Sequence, residues 1–316
     1  MVDQEHEALQ RTRQVWESGM HQETTLRVSW TAIPYFEEQI ARQLAGPYAG
    51  TGPQALAIAS ARYAWALLQE RLPAPVHEAL TGAALVCGNM SAEALFFEHA
   101  TGVRFRAVHG YELSPVLLDQ YCPSGLVFHA HPGDGNDLIL DRSAFHLIVG
   151  CHGVHHLKNL GNCFYQATKG LTPGGLLVLH EWIGPNHLQI PWRNRWVARA
   201  LLYLLFPSRA SRTLLQGHRK GRWIMPRPEE VDPSEACNSQ DLWPQYMRFF
   251  RPLRSVFYGG LVYPMFEGLG HHYVDTKWTH RARVRVVYAL ERWLTKWRLI
   301  APLFVSTIGE PCASND

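Results

Sequence analysis

The spacing of apolar residues in this chain changes near residue 80. Before that point they recur at helical intervals. Residues 4 to 20 are charged, with Leu9, Val15 and Trp16 as a sparse apolar face. Trp30-Thr-Ala-Ile-Pro34 leads into a second helix, with Pro34 near the first turn, where a missing N–H costs nothing. Pro53 to Glu70 is Ala-rich and amphipathic. No strand pattern comes earlier than about residue 80, so residues 1 to 78 read as an N-terminal helical cap.

Beyond it, short apolar runs alternate with helical patterns. Strands are expected at Ala83 to Cys87, Phe105 to Glu112, Leu126 to Ala130, from Phe145, and after the turn Thr172-Pro-Gly-Gly175. Helices are expected at Ser91 to His99, at Ser114 to Gln120 with Ser114 as cap and Pro115 in first position, and through Leu157, Leu160, Phe164, Ala167 and Thr168. Such alternation implies an α/β fold, a parallel sheet with helices on both faces and right-handed crossovers. Leu253 to Tyr258 and Phe304 to Ile308 read as two further strands. The core is therefore expected over 79–316, with a helical insertion at about 188–250.

Composition narrows the class. At 316 residues, 47% hydrophobic and 18% charged, the chain can bury a core of roughly 200 residues with helices attached. The first twenty residues lack an apolar stretch, and the longest apolar run, Ala200 to Phe206, is too short to span a bilayer. A soluble, cytoplasmic protein with no membrane partner is expected. The six cysteines show no C-x-x-C spacing, which argues against a structural zinc site and a disulfide framework, and points to reduced thiols.

In open parallel sheets, ligands bind beyond the carboxyl ends of the strands. That rule gathers Cys87, Gly88, Asn89 and Met90, then Glu112 and Leu113, Asp134, Gly135 and Asn136, Cys151 and His152, and His180, Glu181 and Trp182 on one rim. The run Phe145-His-Leu-Ile-Val-Gly-Cys-His-Gly-Val-His-His156, followed by Gly170-Leu-Thr-Pro-Gly-Gly-Leu-Leu-Val-Leu-His-Glu-Trp182, resembles the second half of class I S-adenosylmethionine (SAM) dependent methyltransferases. There an aspartate-bearing strand, a His-His helix start and a Leu-x-Pro-Gly-Gly turn recur together. The resemblance covers about residues 80 to 185, and elsewhere rests on position alone.

The resemblance implies a Rossmann-like parallel sheet closed by an antiparallel C-terminal hairpin, with SAM as co-substrate or substrate. It implies that Glu112 accepts hydrogen bonds from ribose hydroxyls, that Asp134, Gly135 and Asn136 lie near the adenine amino group, and that Cys151 and His152 line the middle of the pocket. Read from the residues alone, Glu112 is equally a carboxylate near a helix start, and Pro132-Gly-Asp-Gly135 a simple turn. The loop after the first strand departs from the family. In place of Gly-x-Gly-x-Gly the chain has Val86-Cys87-Gly88-Asn89-Met90, keeping the central glycine.

Methyl transfer is an in-line displacement, so alignment and exclusion of water supply most of the acceleration. A base matters only if the nucleophile starts protonated, and His155, His180, Glu181 and Tyr203 are the groups named for catalysis. His152, His155 and His156 stand at i, i+3 and i+4, but no carboxylate or cysteine lies at ligand spacing, so no metal site is expected. His271-His272 is a second cluster, at a loop or as a base.

From Trp182 to Pro228 there are nine basic residues and no acidic ones. The segment suits a carboxylate or phosphate substrate, an acidic carrier protein or nucleic acid; it is also a solvated face balanced by Glu229-Glu-Val-Asp-Pro-Ser-Glu235. With a net charge of only +3 and no RNA-binding aromatic signature, nucleic acid is disfavoured. The partner expected is a small molecule, carboxylate-bearing or carrier-bound, and Trp278, Trp293 and Trp297 leave a homo-oligomer open. Three activities fit: methyl transfer to a small specialised metabolite, cyclisation of SAM to azetidine-2-carboxylate with release of methylthioadenosine, and SAM binding without catalysis.

Overall fold

A computed structural model describes residues 2–17, 29–52, 54–123, 125–208, 210–214, 232–273 and 278–312. Of the residues singled out above, Pro53, Arg209, Arg219, Lys220, Arg222, Arg227, Glu229 and Glu230 lie outside that set.

Three helices come first: α1 (Val2–Glu17), α2 (Pro34–Ala45) and α3 (Ala55–Arg71). The sheet strands are β1 (Leu80–Leu85), β2 (Phe105–Glu112), β3 (Val127–Pro132), β4 (Phe145–Cys151), β5 (Leu171–Trp182), β6 (Phe250–Tyr258) and β7 (Phe304–Pro311). Between them lie α4 (Pro115–Leu118), α5 (Leu160–Gly170), α6 (Trp192–Leu205), α7 (Leu242–Phe249), α8 (Val262–Phe266) and α9 (Trp278–Lys296).

Among the described residues one seven-stranded sheet forms, in the order β3-β2-β1-β4-β5-β7-β6. The first five strands pair in parallel, and β7 runs antiparallel to both β5 and β6. The fold is thus the Rossmann-like sheet with an antiparallel closing pair that the sequence implied. The chain lays β2 and β3 outward from β1, then returns to place β4 on its other side. Crossovers therefore diverge at the β1/β4 tips, which is where an open parallel sheet forms its ligand crevice.

Alternation along the central strands feeds two cores. Leu147, Val149, Leu176 and Val178 pack on one face with Trp65 and Leu68 of α3. Ile148, Leu177 and Leu179 pack on the other with Leu160 and Phe164 of α5 and Tyr246 of α7. A third cluster joins Phe36 and Ile40 of α2 to α6, α8 and α9, with Phe36 and Phe266 rings 5.2 Å apart. The N-terminal helices are thus spread over the molecule: α3 on the sheet, α2 on the C-terminal helices, and α1 at the strand tips.

Two local expectations are corrected. The helix predicted over Ser91 to His99 is reduced to the 3-10 turn Glu93–Phe96. Its aromatic residues are drawn into the sheet: Phe96 and Phe97 are buried, and a Cβ at Gly82 would lie 2.3 Å from the Phe97 ring. Ser114 stands before α4 but makes no cap bond; its hydroxyl instead donates to Glu17 Oε1 of α1 at 2.8 Å.

α6 packs inward through Asn194, Ala198 and Leu202 and turns Trp192 and Trp196 outward. Trp278, Trp293 and Trp297 of the C-terminal region are also exposed. No helix among the described residues is long and apolar enough to cross a membrane.

Glu291 of α9, 2% exposed, fixes the start of α8 by accepting from the N–H groups of Gly259, Leu261 and Val262 at 2.7–2.8 Å. Glu291→Ala leaves three buried donors unpaired and is expected to cost about 3 kcal/mol of stability, read from urea unfolding at neutral pH.

Candidate functional site

β1 ends in the loop Val86 to Met90, and its backbone takes the left-handed region at Val86 (φ 49°), Gly88 (φ 52°) and Met90 (φ 64°). These are the three positions at which the Gly-x-Gly-x-Gly pattern has glycine. The backbone conformation is therefore present although two of the glycines are not, and a β-branched valine at positive φ is strained. Neighbouring contacts hold it there. Gly88 N–H donates to Glu112 Oε2 at 2.8 Å, Met90 N–H to Cys87 O at 2.8 Å, and Cys87 N–H to Tyr111 O at 3.4 Å. Met90 is fully buried in the α3-side core.

Glu112, at the tip of β2, also accepts from Ser114 N–H at 3.2 Å. Burial raises its pKa above the usual carboxylate value, and the backbone donors of Gly88, Ser114 and Leu113 offset only part of that rise. After β3, Asp134 Oδ1 accepts from both nitrogens of Asn136, whose own Oδ1 accepts from Lys158 and Asn159 N–H at 2.8 and 2.9 Å. The Asp134-Gly135-Asn136 turn thereby latches the loop entering α5.

Two neighbouring cavities open over these tips. One, of about 450 Å³, is bounded by Trp16, Tyr111, Glu112, Asp134, Leu157 and Pro233, among others. The other, of about 270 Å³, is bounded by Gly88, Glu93, Cys151, His152, His156 and Glu235, among others. Val86, Glu112, Trp16 and His156 belong to both walls. The larger is of ordinary ligand-site size.

All ten residues expected to touch the ligand line one cavity or the other. Glu112, Leu113, Asp134, Gly135 and Asn136 line the first; Cys87, Gly88, Asn89, Glu112, Cys151 and His152 line the second. The four residues named for catalysis are placed differently. Glu181 is fully buried and accepts from Gly153 and Val154 N–H at 2.9 and 2.7 Å through Oε1, with Oε2 2.7 Å from His155 Nδ1. His155 stands behind His156 in the wall. His180 is buried in the sheet with Nδ1 2.7 Å from Ser306 Oγ, and burial lowers its pKa to about 3. Tyr203 is 42% exposed on the outer face of α6, with the Arg212 guanidinium 4.1 Å over its ring, apart from both cavities. The His271-His272 cluster likewise lies elsewhere, with His272 Nε2 2.6 Å from Thr213 O.

Sequence reasoning missed three wall elements. Trp16 and Thr12 of α1 donate to Asp232 at 2.8 and 3.0 Å, which seats α1 across the cleft. Asp232, Ser234 and Glu235, read above as a surface acidic run, reach the His155-His156 pair. Glu93, buried beneath the loop, accepts from Cys151 N–H at 3.2 Å. The only sequence signal was an amphipathic α1 carrying a tryptophan.

No protein-family model matches the chain, and no curated protein matches it. Solved structures with a similar architecture include a SAM-dependent methyltransferase from Mesorhizobium loti, at 16% identity, covering 79% of this chain and 97% of that one with a TM-score of 0.40. Another is geranyl diphosphate C-methyltransferase from Streptomyces coelicolor A3(2), in complex with Mg2+, geranyl diphosphate and S-adenosyl-L-homocysteine, at 13% identity and a TM-score of 0.43, covering 82% of this chain and 79% of that one. A third is the [4+2]-cyclase SpnF, at 13% identity and a TM-score of 0.41, covering 90% and 95% of the two chains. At this level of superposition the class of the molecule rests on its own strand order and register. Those define a Rossmann-like α/β fold, a parallel sheet closed by an antiparallel strand pair.

Burial pushes the pKa of Glu93 up to about 8, with the nearby charges of Glu181 and Glu112 adding to it. A carboxyl whose folded pKa is raised stabilises fully below its ordinary value near 4.5 and loses that contribution as pH rises through about 8. Glu93→Gln, which keeps the acceptor for Cys151, is therefore expected to be more stable than the parent at pH 9 by about 2 kcal/mol, and near-neutral at pH 4. Paired urea titrations at the two pH values read the difference.

Proposed function

We propose that the chain binds SAM across the two cavities and transfers its methyl group to a small molecule. The observation that carries this reading is the loop Val86 to Met90, left-handed at three alternate positions and tied to the Glu112 carboxylate at the β1/β4 switch point. The charge of the walls supports it. Glu112, Asp134 and Asp137 face the first cavity and Glu112 and Glu235 border the second beside a protonated Glu93, while Lys158 is the one lysine or arginine among the described lining residues. An acidic cleft favours a cationic ligand.

In this reading the nucleoside occupies the first cavity, with adenine against Leu113, Leu138 and Leu157 and ribose hydroxyls donating to Glu112. The methionine part lies in the second, where the Gly88 backbone permits close approach. SAM supplies an electrophilic methyl carbon on a sulfonium. The acceptor's lone pair forms the new bond to that carbon, the carbon–sulfur bond breaks, and its electron pair remains on sulfur as S-adenosylhomocysteine is released. A proton lost by the acceptor has a taker in His152, which faces the second cavity and whose pKa is lowered by burial. Glu181 and His155 serve as positioning residues for the loop that carries it. α1 and residues 233–235 close the cleft over the acceptor and exclude water.

The altered loop also keeps the second reading in view, because Val86 narrows the space that a glycine would leave around the methionine part. Attack by SAM's own amine on its γ-carbon would break the carbon–sulfur bond on that side, giving azetidine-2-carboxylate and methylthioadenosine. Calorimetry and product analysis by mass spectrometry test both. Saturable binding of S-adenosylhomocysteine is expected, with Glu112→Ala weakening it at least about 10-fold and Val86→Gly binding no worse than the parent. With acceptors supplied, S-adenosylhomocysteine is the expected product; methylthioadenosine from SAM alone would select the cyclisation. Absence of affinity for SAM and for S-adenosylhomocysteine overturns both.

A further inference from the structure

Three side chains from two segments of the chain converge beside the second cavity: His155, His156 and Glu235, with one ligand-type atom from each lying within 4.8 Å of the others. His155 Nε2 is 3.4 Å from Glu235 Oε1, and His156 Nε2 is 3.9 Å from Glu235 Oε2. Nitrogen and oxygen donors ~2.1 Å from one tetrahedral ion stand ~3.4 Å from each other. The His155–Glu235 separation is already of that size, and the His156–Glu235 separation exceeds it by about half an ångström, a gap that side-chain rotation can close.

The remaining nitrogens are already committed. His155 Nδ1 is held by Glu181 Oε2 at 2.7 Å, and Glu181 is itself fixed by the Gly153 and Val154 N–H groups. His156 Nδ1 is 2.9 Å from Ser234 Oγ, whose hydroxyl donates to Asp232 Oδ1 at 2.7 Å. With Nδ1–H donating in each ring, both Nε2 atoms point at a carboxylate. An ion held between the three would take the place of the proton that otherwise lies between His155 Nε2 and Glu235. A carboxylate or hydroxyl bonded to the far nitrogen of each imidazole is also the support that metal-ligating histidines have.

We propose that His155, His156 and Glu235 bind a divalent transition metal ion of the zinc type, with an open position facing the second cavity. Two imidazoles and one carboxylate suit zinc, cobalt(II) or iron(II), and three protein ligands leave room for a water or a substrate oxygen. Glu235 directly, and Glu181 and Asp232 behind the imidazoles, more than offset the ion's two charges. Without the ion, burial opposes a charge on His155, yet Glu181 and Glu235 outweigh it and hold the pKa at about 10. Binding then releases that proton to solvent. The site stands at the acceptor side of the cleft, so an acceptor with a hydroxyl, carboxylate or enolisable carbonyl would gain a ligand at the ion and lose basicity there.

Cobalt(II) titration of chelator-treated protein, followed by visible absorption, tests this without SAM. One equivalent is expected to bind with the intense visible bands of a four- or five-coordinate site, and zinc is expected to displace it. His156→Asn and Glu235→Gln should each abolish the bands, while Glu181→Gln should weaken binding about 10–100-fold. Circular dichroism melts and S-adenosylhomocysteine calorimetry on the same variants separate loss of the ion from loss of the fold. No saturable cobalt binding, or binding undiminished in His156→Asn and Glu235→Gln, overturns the site and leaves the SAM reading standing. Bound cobalt without nucleoside affinity would do the reverse.

Discussion

A carboxylate buried at the tip of the second strand organises this molecule's cleft. Glu112 is 2% exposed, and burying a charge there is costly unless it is hydrogen-bonded. The N–H groups of Gly88 and Ser114 meet that need, and in meeting it they fix the conformation of the β1 loop and the start of α4. Strain at Val86 and Met90, of order 1–3 kcal/mol each, persists because the surroundings determine it. Met90 fills the core beneath the sheet, and Gly153 gives Val86 room: a Cβ there would lie 2.0 Å from the Val86 carbonyl oxygen. One of the glycine requirements has thus moved from the β1 loop to the loop that follows β4.

The other carboxylates of the cleft are accommodated in different ways. Glu181 is compensated by His155 and two backbone donors, so despite burial its pKa is lowered. Glu93 lacks such a cation, and burial leaves it holding its proton. The two sit on either side of Cys151 and receive opposite protonation states from their partners. Glu112 and Glu235 are therefore the carboxylates that border the second cavity beside a protonated Glu93, and this is the part of the cleft in which the proposed reading puts a sulfonium.

Much of the sheet was legible in the sequence because its signal is local. Leu147, Ile148, Val149 and Leu176 through Leu179 form continuous apolar runs, as strands buried on both faces must, and the Thr172-Pro-Gly-Gly175 turn marks the entry to the second run. The strand-tip rule located the cavity-lining residues for the same reason: they follow directly on strands. Ser91 to His99 misled because Phe96 and Phe97, adjacent in sequence, are both buried from a 3-10 turn, with Phe97 packed on Gly82, and no helical stripe forms. Tyr203 and the basic run had no strand to anchor them, and amphipathic spacing says which face of α6 is inward without saying what it covers. The acidic run Asp232 to Glu235 was misread since charge runs are usually solvated; its partners are seventy-odd positions away in sequence, at His155 and His156.

That distance has a mechanical meaning. Asp232 receives Thr12 and Trp16 from α1, supports Ser234 behind His156, and lies beside the Trp16 ring that meets the His156 ring edge-on at 4.7 Å. Glu17, one residue beyond Trp16, receives the Ser114 hydroxyl that follows Glu112. A single helix is thus joined at one end to the β2 tip and along its length to the insertion. The wall over the cavities and the His-His-Glu cluster then form together or not at all, because both require α1 and residues 232–235 to be in place. A cleft wall assembled from three distant segments in this way is set by the same contacts that bring the His-His-Glu cluster together, so alignment of any group bound against it depends on α1 being seated.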